Sequence, residues 1–588
     1  MKKSLLCLVF LAFNFFLYPQ SFLETEINIA DSLATDVAVL GGNISCQPIR
    51  TSYGYAATGE GRQLYGFTQE GKILWQTAIQ ERNVKFLSVF AEDQLCTVSV
   101  SVDSKLSLLN SSGLLLWSSS VDFIVEDSPL QGIDGRIFVR GERNLACFGM
   151  KGTQRWIIST ENQDLSVKPA ALNDGSIAVF MNATSDGKFS MQRFSPYGKL
   201  LEILQWNSKP IQAETIQDGM LVAFDDGLIQ KLSVENDKIK KLWKIDSKNS
   251  KIDSPAKLIP DKKNNETAIV YGSPSKIVVV KNAAGKILKE FRTEIESRKF
   301  KYTTVSAQGI TICTETNGYC YRKDGSIIWK VKFDPSKKIK YLFTSDSGYI
   351  VFCNDNWSME LFQTRLNLNK NTNFFVPYKL KQIENKAEKN YVPSSTQCGQ
   401  LIDEELLEKM KKDFEDGNYP DKEEQFTAML SAELKQMSRE WFEIKSLELH
   451  EELFFDSNVE YSRKIFEILG ESQIILCRNE LISMIRNVSD PYLLQQVIQC
   501  AGKMSWDPDG QILKTIDYLM NTKKIGPKDT AILNAIADAT FEICRFMGRP
   551  SFFSMGSKIL GYMLFPQFPD EIRHKAIETM EKIKESKL

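Results

Sequence analysis

A chain of 588 residues is too long for one compact core and long enough for several. Its 43 % hydrophobic and 25 % charged content excludes bulk disorder. With 73 Lys plus Arg against 74 Asp plus Glu, the formal net charge of −1 offers no global attraction to nucleic acid or an anionic membrane.

The first residues, MKKSLLCLVFLAFNFFLYPQS, place Lys2 and Lys3 before an apolar run from Leu5 to Leu17. That run is short for a membrane span and right for a signal peptide, expected over residues 1–21 with cleavage near Ser21. Cys7 lies inside the run after Leu6, not after a small residue at its end, which argues against a lipid anchor. The alternative is an uncleaved tether. No later segment is apolar for long enough to span a bilayer, so an exported, periplasmic or envelope-associated protein is expected.

Eleven cysteines include no CxxC pair. Cys96, Cys147 and Cys353 sit inside apolar runs and read as buried small hydrophobes. Cys313 and Cys320 flank the turn TETNGY and are the disulfide candidates, facing each other across a hairpin.

A repeat dominates the first two-thirds. GKILW (Gly71–Trp75), GLLLW (Gly113–Trp117), GTQRW (Gly152–Trp156) and GSIIW (Gly325–Trp329) share a turn glycine and a tryptophan four residues on. Degenerate copies follow Gly198 (GKLLE) and Gly285 (GKILK), and another ends at Trp243 (DKIKKLW). Starts recur about every forty residues, the period of a four-stranded propeller blade. Within each unit come a first β-run, a second apolar run such as IFV or IAVF, a third that alternates apolar and polar residues, and the G-x-x-x-W strand. Trp75, Trp117, Trp156, Trp243 and Trp329, in register, are expected to pack between neighbouring blades, not to bind a ligand.

Seven units reach the G-x-x-x-W position. An eighth, from Lys340, stops after its third run, while Ala34–Leu40 (ATDVAVL) is a spare β-run near the amino terminus. Closure by that run predicts eight blades over residues 34–365, with seven as the alternative. The pattern resembles the quinoprotein-like (PQQ-like) propeller repeat, marked by a hydrophobic strand, a turn glycine and a tryptophan shortly beyond. Repeats of this kind occur in quinone-dependent alcohol dehydrogenases and in the propeller lipoprotein of bacterial outer-membrane β-barrel assembly. The resemblance therefore implies a fold and leaves the role open between enzyme and scaffold.

Residues 366–400, rich in Asn, Lys and Ser, read as a linker. From 401 to 588 the period is helical: Ile402, Leu406, Leu407 and Met410 share one face. Asp490, Asp529 and Asp570 are expected to cap helices spaced about forty residues apart. The region resembles HEAT-type helical repeats, most clearly in PDEIRHKAIETMEKI, and such stacks offer concave faces to protein partners.

Catalytic chemistry is not written in the chain. Its two histidines, His450 and His574, both fall in the helical region, so the propeller has no histidine for a Ser-His-Asp or Cys-His site. His574 and Glu578 share a helix face, but two groups do not make a metal site. GFTQEGKI from Gly66 misses a phosphate loop because Ile73 stands where the hydroxyl belongs. The sequence has no adjacent cysteine pair of the kind that quinone-dependent dehydrogenases hold against their cofactor. The lysines of Lys238–Lys244 alternate with apolar strand residues and read as protected strand edges, not a nucleic-acid surface. The expectation is a non-enzymatic exported scaffold without catalytic, cofactor or metal residues, whose partners are envelope or outer-membrane proteins. A quinone-dependent enzyme and a ligand-sensing propeller are the alternatives.

Overall fold

The computed structural model describes residues 25–28, 36–39, 42–246, 257–363, 404–415, 427–437, 462–470 and 477–586, with gaps of one to five residues inside some stretches, and Leu380. The expected signal peptide, most of the linker, Cys7 and His450 lie outside the described residues.

Eight consecutive antiparallel sheets build an eight-bladed β-propeller, so the seven-bladed alternative is set aside. Blades 1 to 5 end in the strands Ile73–Ala78, Leu115–Ser120, Gln154–Ser159, Leu200–Trp206 and Lys238–Asp246. Blades 6 and 7 end in Lys286–Arg292 and Ile327–Lys332. Blade 8 has three strands of its own, Ile339–Thr344, Tyr349–Asn354 and Ser358–Gln363, and takes its fourth from Asp36–Val39. That strand lies antiparallel to Ser358–Leu361 with Val37 opposite Glu360, which closes the blade with the spare run read from the sequence. One strand was not legible there: Thr25–Asn28 adds parallel to the outer edge of blade 7, Thr25 opposite Trp329.

The chain divides into two compact units that cut across the β-to-α boundary: residues 1–39 with 252–374, and residues 40–251 with 375–588. The first holds blades 6 to 8 and both amino-terminal strands. The second holds blades 1 to 5 and the helices.

Within each unit the first strands of successive blades pack on one another, as blade 2 does on blade 1 and blade 7 on blade 6. Second strands are buried end to end, as in Ile137–Arg140, Ile177–Met181 and Gly219–Phe224, because neighbouring blades cover both faces. This is why they read as continuous apolar runs. The third strands are also largely buried. The expected alternation holds over residues 105–108 in blade 2, half-buried and buried in turn, and is clearest in the outermost strands, where Ile73–Ala78 and Leu115–Ser120 switch between exposed and half-buried positions.

The helical part comprises α1 (Glu404–Glu415), helical residues 427–434 and 462–470, α2 (Arg478–Asn487), α3 (Pro491–Met504), α4 (Gln511–Asn521), α5 (Thr530–Met547), α6 (Pro550–Tyr562) and α7 (Asp570–Glu585). Helix α3 packs on α5 and α5 on α7, while α2 packs on α4 and α4 on α6, giving two layers of alternate helices. Their shared core includes Leu493, Val497, Ile536, Ile543 and Ile583, and draws in Ala91 and Met150 from the propeller.

Of the three expected caps, Asp490 serves: its Oδ1 accepts from the Leu493 N–H at 2.8 Å. Asp529 precedes α5 but accepts from the Gly526 N–H instead, and Asp570 lies inside the first turn of α7, paired with Arg573. The start of α4 is held by an aspartate outside the pattern of those three. The fully buried Asp507 accepts from the N–H groups of Ile512 and Leu513, each at 3.1 Å, and from Arg478 at 2.8 Å.

Candidate interaction surface

Three of the five tryptophans, Trp75, Trp117 and Trp156, join neighbouring blades. In blades 1, 2 and 3 the turn glycine of the next blade lies on the ring: a Cβ on Gly113 would stand 2.5 Å from Trp75, and one on Gly152 would stand 2.5 Å from Trp117. Both glycines have φ above +80°, so the turn and the ring contact each require glycine. The indole N–H completes the joint. Trp117 Nε1 donates to Met150 O at 2.7 Å and Trp156 Nε1 to Pro196 O at 3.0 Å, in each case the carbonyl two residues before the turn glycine. Trp75 is also wedged against Gly66, its cross-strand partner, which gives the indole room. Trp329 is fully buried but turns its N–H to Gln308 of its own blade at 3.3 Å, and Trp243 is half-buried opposite Lys231.

Blade 4, where Glu202 replaces the tryptophan, solves the same problem with charge. Arg193 is 3 % exposed, pairs with Glu202 at 3.0 Å and Asp174 at 3.2 Å, and donates to Asp237 O at 2.8 Å. Asp237 occupies the turn position that Met150 and Pro196 hold in the blades before. Glu202 Oε2 in turn accepts from the Ile239 N–H at 3.0 Å. A degenerate repeat thus keeps the inter-blade contact and changes its chemistry.

The disulfide expectation is corrected. Cys313 stands opposite Gly318 and Cys320 opposite Thr311, so the two thiols are diagonal, not facing. Diagonal residues in an antiparallel pair have Cβ atoms roughly 7 Å apart, too far for an S–S bond. Both are buried thiols, not a disulfide; Thr311 Oγ1 donates to the Cys320 sulfur at 3.7 Å. On its other side Cys320 faces Trp329, as Cys147 faces Trp156, small residues opposite large ones. His574 is exposed on α7. Among the described residues no group of three or more His, Cys, Asp and Glu is arranged to hold a metal ion. No helix among them is long and apolar enough to cross a membrane.

Where blade 2 meets the helices, the propeller caps a helix. The C-terminal carbonyls of α5 have no partners within the helix. Asn110 Nδ2 donates to Arg545 O at 2.6 Å, Gln94 Nε2 to Phe546 O at 3.4 Å, Ser111 Oγ to Met547 O at 3.3 Å, and Ser112 Oγ to Gly548 O. Arg545 returns a bond to Leu116 O at 3.1 Å, and Arg549 pairs with Glu92. One turn later along the propeller, Lys151 donates to Lys503 O at the end of α3.

Leu116 belongs to a repeated feature. In blades 1 to 7 the outer strand carries a β-bulge one residue before the tryptophan position, at Leu74, Leu116, Arg155, Leu201, Leu242, Leu288 and Ile328. The fourth residue of the G-x-x-x-W motif is therefore the extra residue of the bulge, turned away from the ladder. At blade 2 it packs into the helical core. At blades 1, 4, 5 and 6 the leucine is 40 to 50 % exposed, with Ile73, Leu200, Ile203 and Ile287 exposed beside it.

No family model and no curated protein matches the chain. Solved structures that resemble it are propellers. BamB from Moraxella catarrhalis is 13 % identical over 57 % of this chain and 99 % of its own, with a TM-score of 0.41. Sqt1 from Saccharomyces cerevisiae is 12 % identical over 56 % and 98 %, with a TM-score of 0.42. The C-terminal WD40 domain of Sif2 is 12 % identical over 56 % and 99 %, also at 0.42. At that level of similarity they carry no functional implication.

Proposed function

We propose that this chain is a non-enzymatic, exported scaffold of the cell envelope that holds protein partners on its propeller edges and its HEAT-like helical stack. The observation that carries the reading is the row of exposed bulge leucines. Leu116 on blade 2 already seats a folded helical domain, and Leu74, Leu201 and Leu242 repeat that surface uncovered on blades 1, 4 and 5. Apolar side chains clustered at one register of successive strands are a docking feature, whereas singly scattered ones need no explanation. The blade 4 edge, with Leu200, Leu201 and Ile203, has no lysine in its strand, unlike blades 5 and 6, whose outer strands carry several. Lysines protect an edge from pairing, and the outer strands of blades 1 to 3 lack them as blade 4 does; blade 4 exposes more large apolar residues than any of those and is the edge best suited to a partner.

The test is co-purification from envelope extracts with the wild type and with a Leu201→Asp, Ile203→Asp double variant. Recovery of envelope proteins by the wild type and their loss with the variant support the scaffold. Equal recovery with both, or none with either under several mild detergents, overturns it. A thermal shift with pyrroloquinoline quinone and calcium, accompanied by dye-linked oxidation, would favour the enzyme instead. A ligand at a hundredfold over its Kd adds about 2.7 kcal/mol.

A further inference from the structure

We infer that the outer edge of blade 4, Leu200–Trp206, takes up an extended segment of a protein partner as a parallel fifth strand, with an apolar residue of that segment beside Ile203. This rests on the reading of the chain as a protein-interaction scaffold and names the form its partner takes at that edge.

The molecule makes such an addition once on itself. Thr25–Asn28 runs parallel to the last strand of blade 7, with Thr25, Glu26, Ile27 and Asn28 opposite Trp329, Lys330, Val331 and Lys332. The added strand begins at the tryptophan position, just past the bulge at Ile328, where the ladder is regular again. In blade 4 the bulge falls at the same place, at Leu201, and leaves residues 202–206 in regular register with Phe189–Phe194. Among the described residues no strand lies beyond it, so its outward N–H and C=O groups are a template for pairing.

This edge is apolar where that of blade 7 is charged. Aligned on the bulge, Ile203 takes the place of Lys330 and Gln205 that of Lys332. Glu202, Leu204 and Trp206 alternate with them and are already engaged. Glu202 is held by Arg193, and Leu204 and Trp206 pack with the core that blades 4 and 5 share. On the other face Ile203 is 50 % exposed, and the bulge residue Leu201 is 44 % exposed.

Residues paired across a ladder carry their side chains on one face. A guest residue opposite Ile203 therefore meets an exposed isoleucine, where Glu26 stands opposite Lys330 in blade 7. A glutamate opposite Ile203 finds no cation in register. The chain's own Thr-Glu-Ile-Asn strand thus suits blade 7, and an uncharged, apolar strand suits blade 4. Main-chain hydrogen bonds supply the affinity, and the residue opposite Ile203 supplies the choice of partner.

A disulfide trap on the full chain tests this. Gln205 is exposed and the nine cysteines among the described residues are all buried, so Gln205→Cys adds an accessible thiol. Two labelled peptides of equal composition, Lys-Thr-Val-Val-Cys-Lys and Lys-Cys-Val-Val-Thr-Lys, are offered in a buffer of reduced and oxidised glutathione. A parallel strand brings the cysteine of the first opposite position 205 with a valine opposite Ile203; an antiparallel strand does the same for the second. Preferential trapping of the first is expected. Adding Ile203→Lys, at an exposed position, weakens that trapping about fivefold, the upper range for one cross-strand pair. N-methylation of both valines keeps their side chains and removes their N–H donors, and brings trapping down to the level of free cysteine. Equal trapping of the two peptides, preference for the second, or trapping unchanged by N-methylation overturns the inference. The Leu201→Asp, Ile203→Asp variant separates the two readings. If envelope proteins are captured by the wild type and lost with that variant, while neither peptide is trapped above free cysteine, the added strand is wrong and the scaffold stands.

Discussion

Asn110 of the propeller and Gly548 of the helical stack occupy each other's space: a Cβ on Gly548 would stand 2.6 Å from Asn110 Cγ. Gly548 ends α5 with φ +67°, its N–H bonded to Cys544 O at 2.9 Å. Asn110 uses its Oδ1 to hold its own turn, accepting from Ser112 and Leu114 at 2.9 and 3.0 Å, and its Nδ2 to cap α5 through Arg545 O. The turn and the helix end are thus one structure.

Gly548→Ala meets two penalties at once, about 1 kcal/mol for a left-handed conformation and a further 1–3 kcal/mol for overpacking. Asn110→Asp keeps the turn acceptors but presents a carboxylate to a carbonyl. Both variants are expected to raise hydrogen exchange at the C-terminal end of α5 while blades 3 and 4 stay protected. Unchanged exchange in both would show that this joint does not hold the helices.

Arg193 carries the second prediction. Removing it as Arg193→Ala leaves Glu202 and Asp174 without their cation and Asp237 O without its donor, at a cost of about 3 kcal/mol. Glu202→Gln leaves Arg193 paired with Asp174 and is expected to cost about 1 kcal/mol. Urea titrations of the two variants would distinguish this order from its reverse.

Much of this was legible before the fold was seen. The G-x-x-x-W period marks the blades because one turn geometry and one ring contact repeat. The spare run at Ala34–Leu40 had no other partner, and Asp36–Val39 closes blade 8. The polar latch at Arg193 was hidden, since it lies on the third strand, nine residues before Glu202, where no motif points to it. The Cys313–Cys320 pairing failed for a related reason: spacing across a turn does not fix register, and a shift of two residues makes facing partners diagonal.

The buried thiols set a limit at high pH. Burial pushes the Cys46 and Cys500 thiols up to about 12 from an ordinary value of 9.0, partly offset by Ser45 for the first and by Lys503 and Lys151 for the second. With the folded value above the unfolded one, each thiol's contribution is fully present below pH 9.0 and is lost as pH rises toward about 12. Each pH unit inside that window costs about 1.4 kcal/mol per thiol. Melting temperatures from pH 7 to 10.5 should fall more steeply for the wild type than for Cys46→Ala. Parallel curves would mean that the Cys46 thiol ionises without unfolding.

The last prediction concerns the two amino-terminal strands, which do different work. Asp36–Val39 is the fourth strand of blade 8, and without it Ser358–Gln363 becomes an open edge with unpaired backbone groups. Thr25–Asn28 only adds a fifth strand to blade 7, whose own four are complete without it. A chain starting at Ile29 should therefore remain soluble and melt within a few degrees of the intact protein. A chain starting at Gly42 should aggregate or lose cooperative unfolding, since the edge it opens flanks the buried Met359, Leu361 and Phe362. Size-exclusion chromatography and thermal melts of the two truncations decide the matter. If the chain from Gly42 is as stable and monomeric as the full one, closure by the amino terminus is not what completes this propeller.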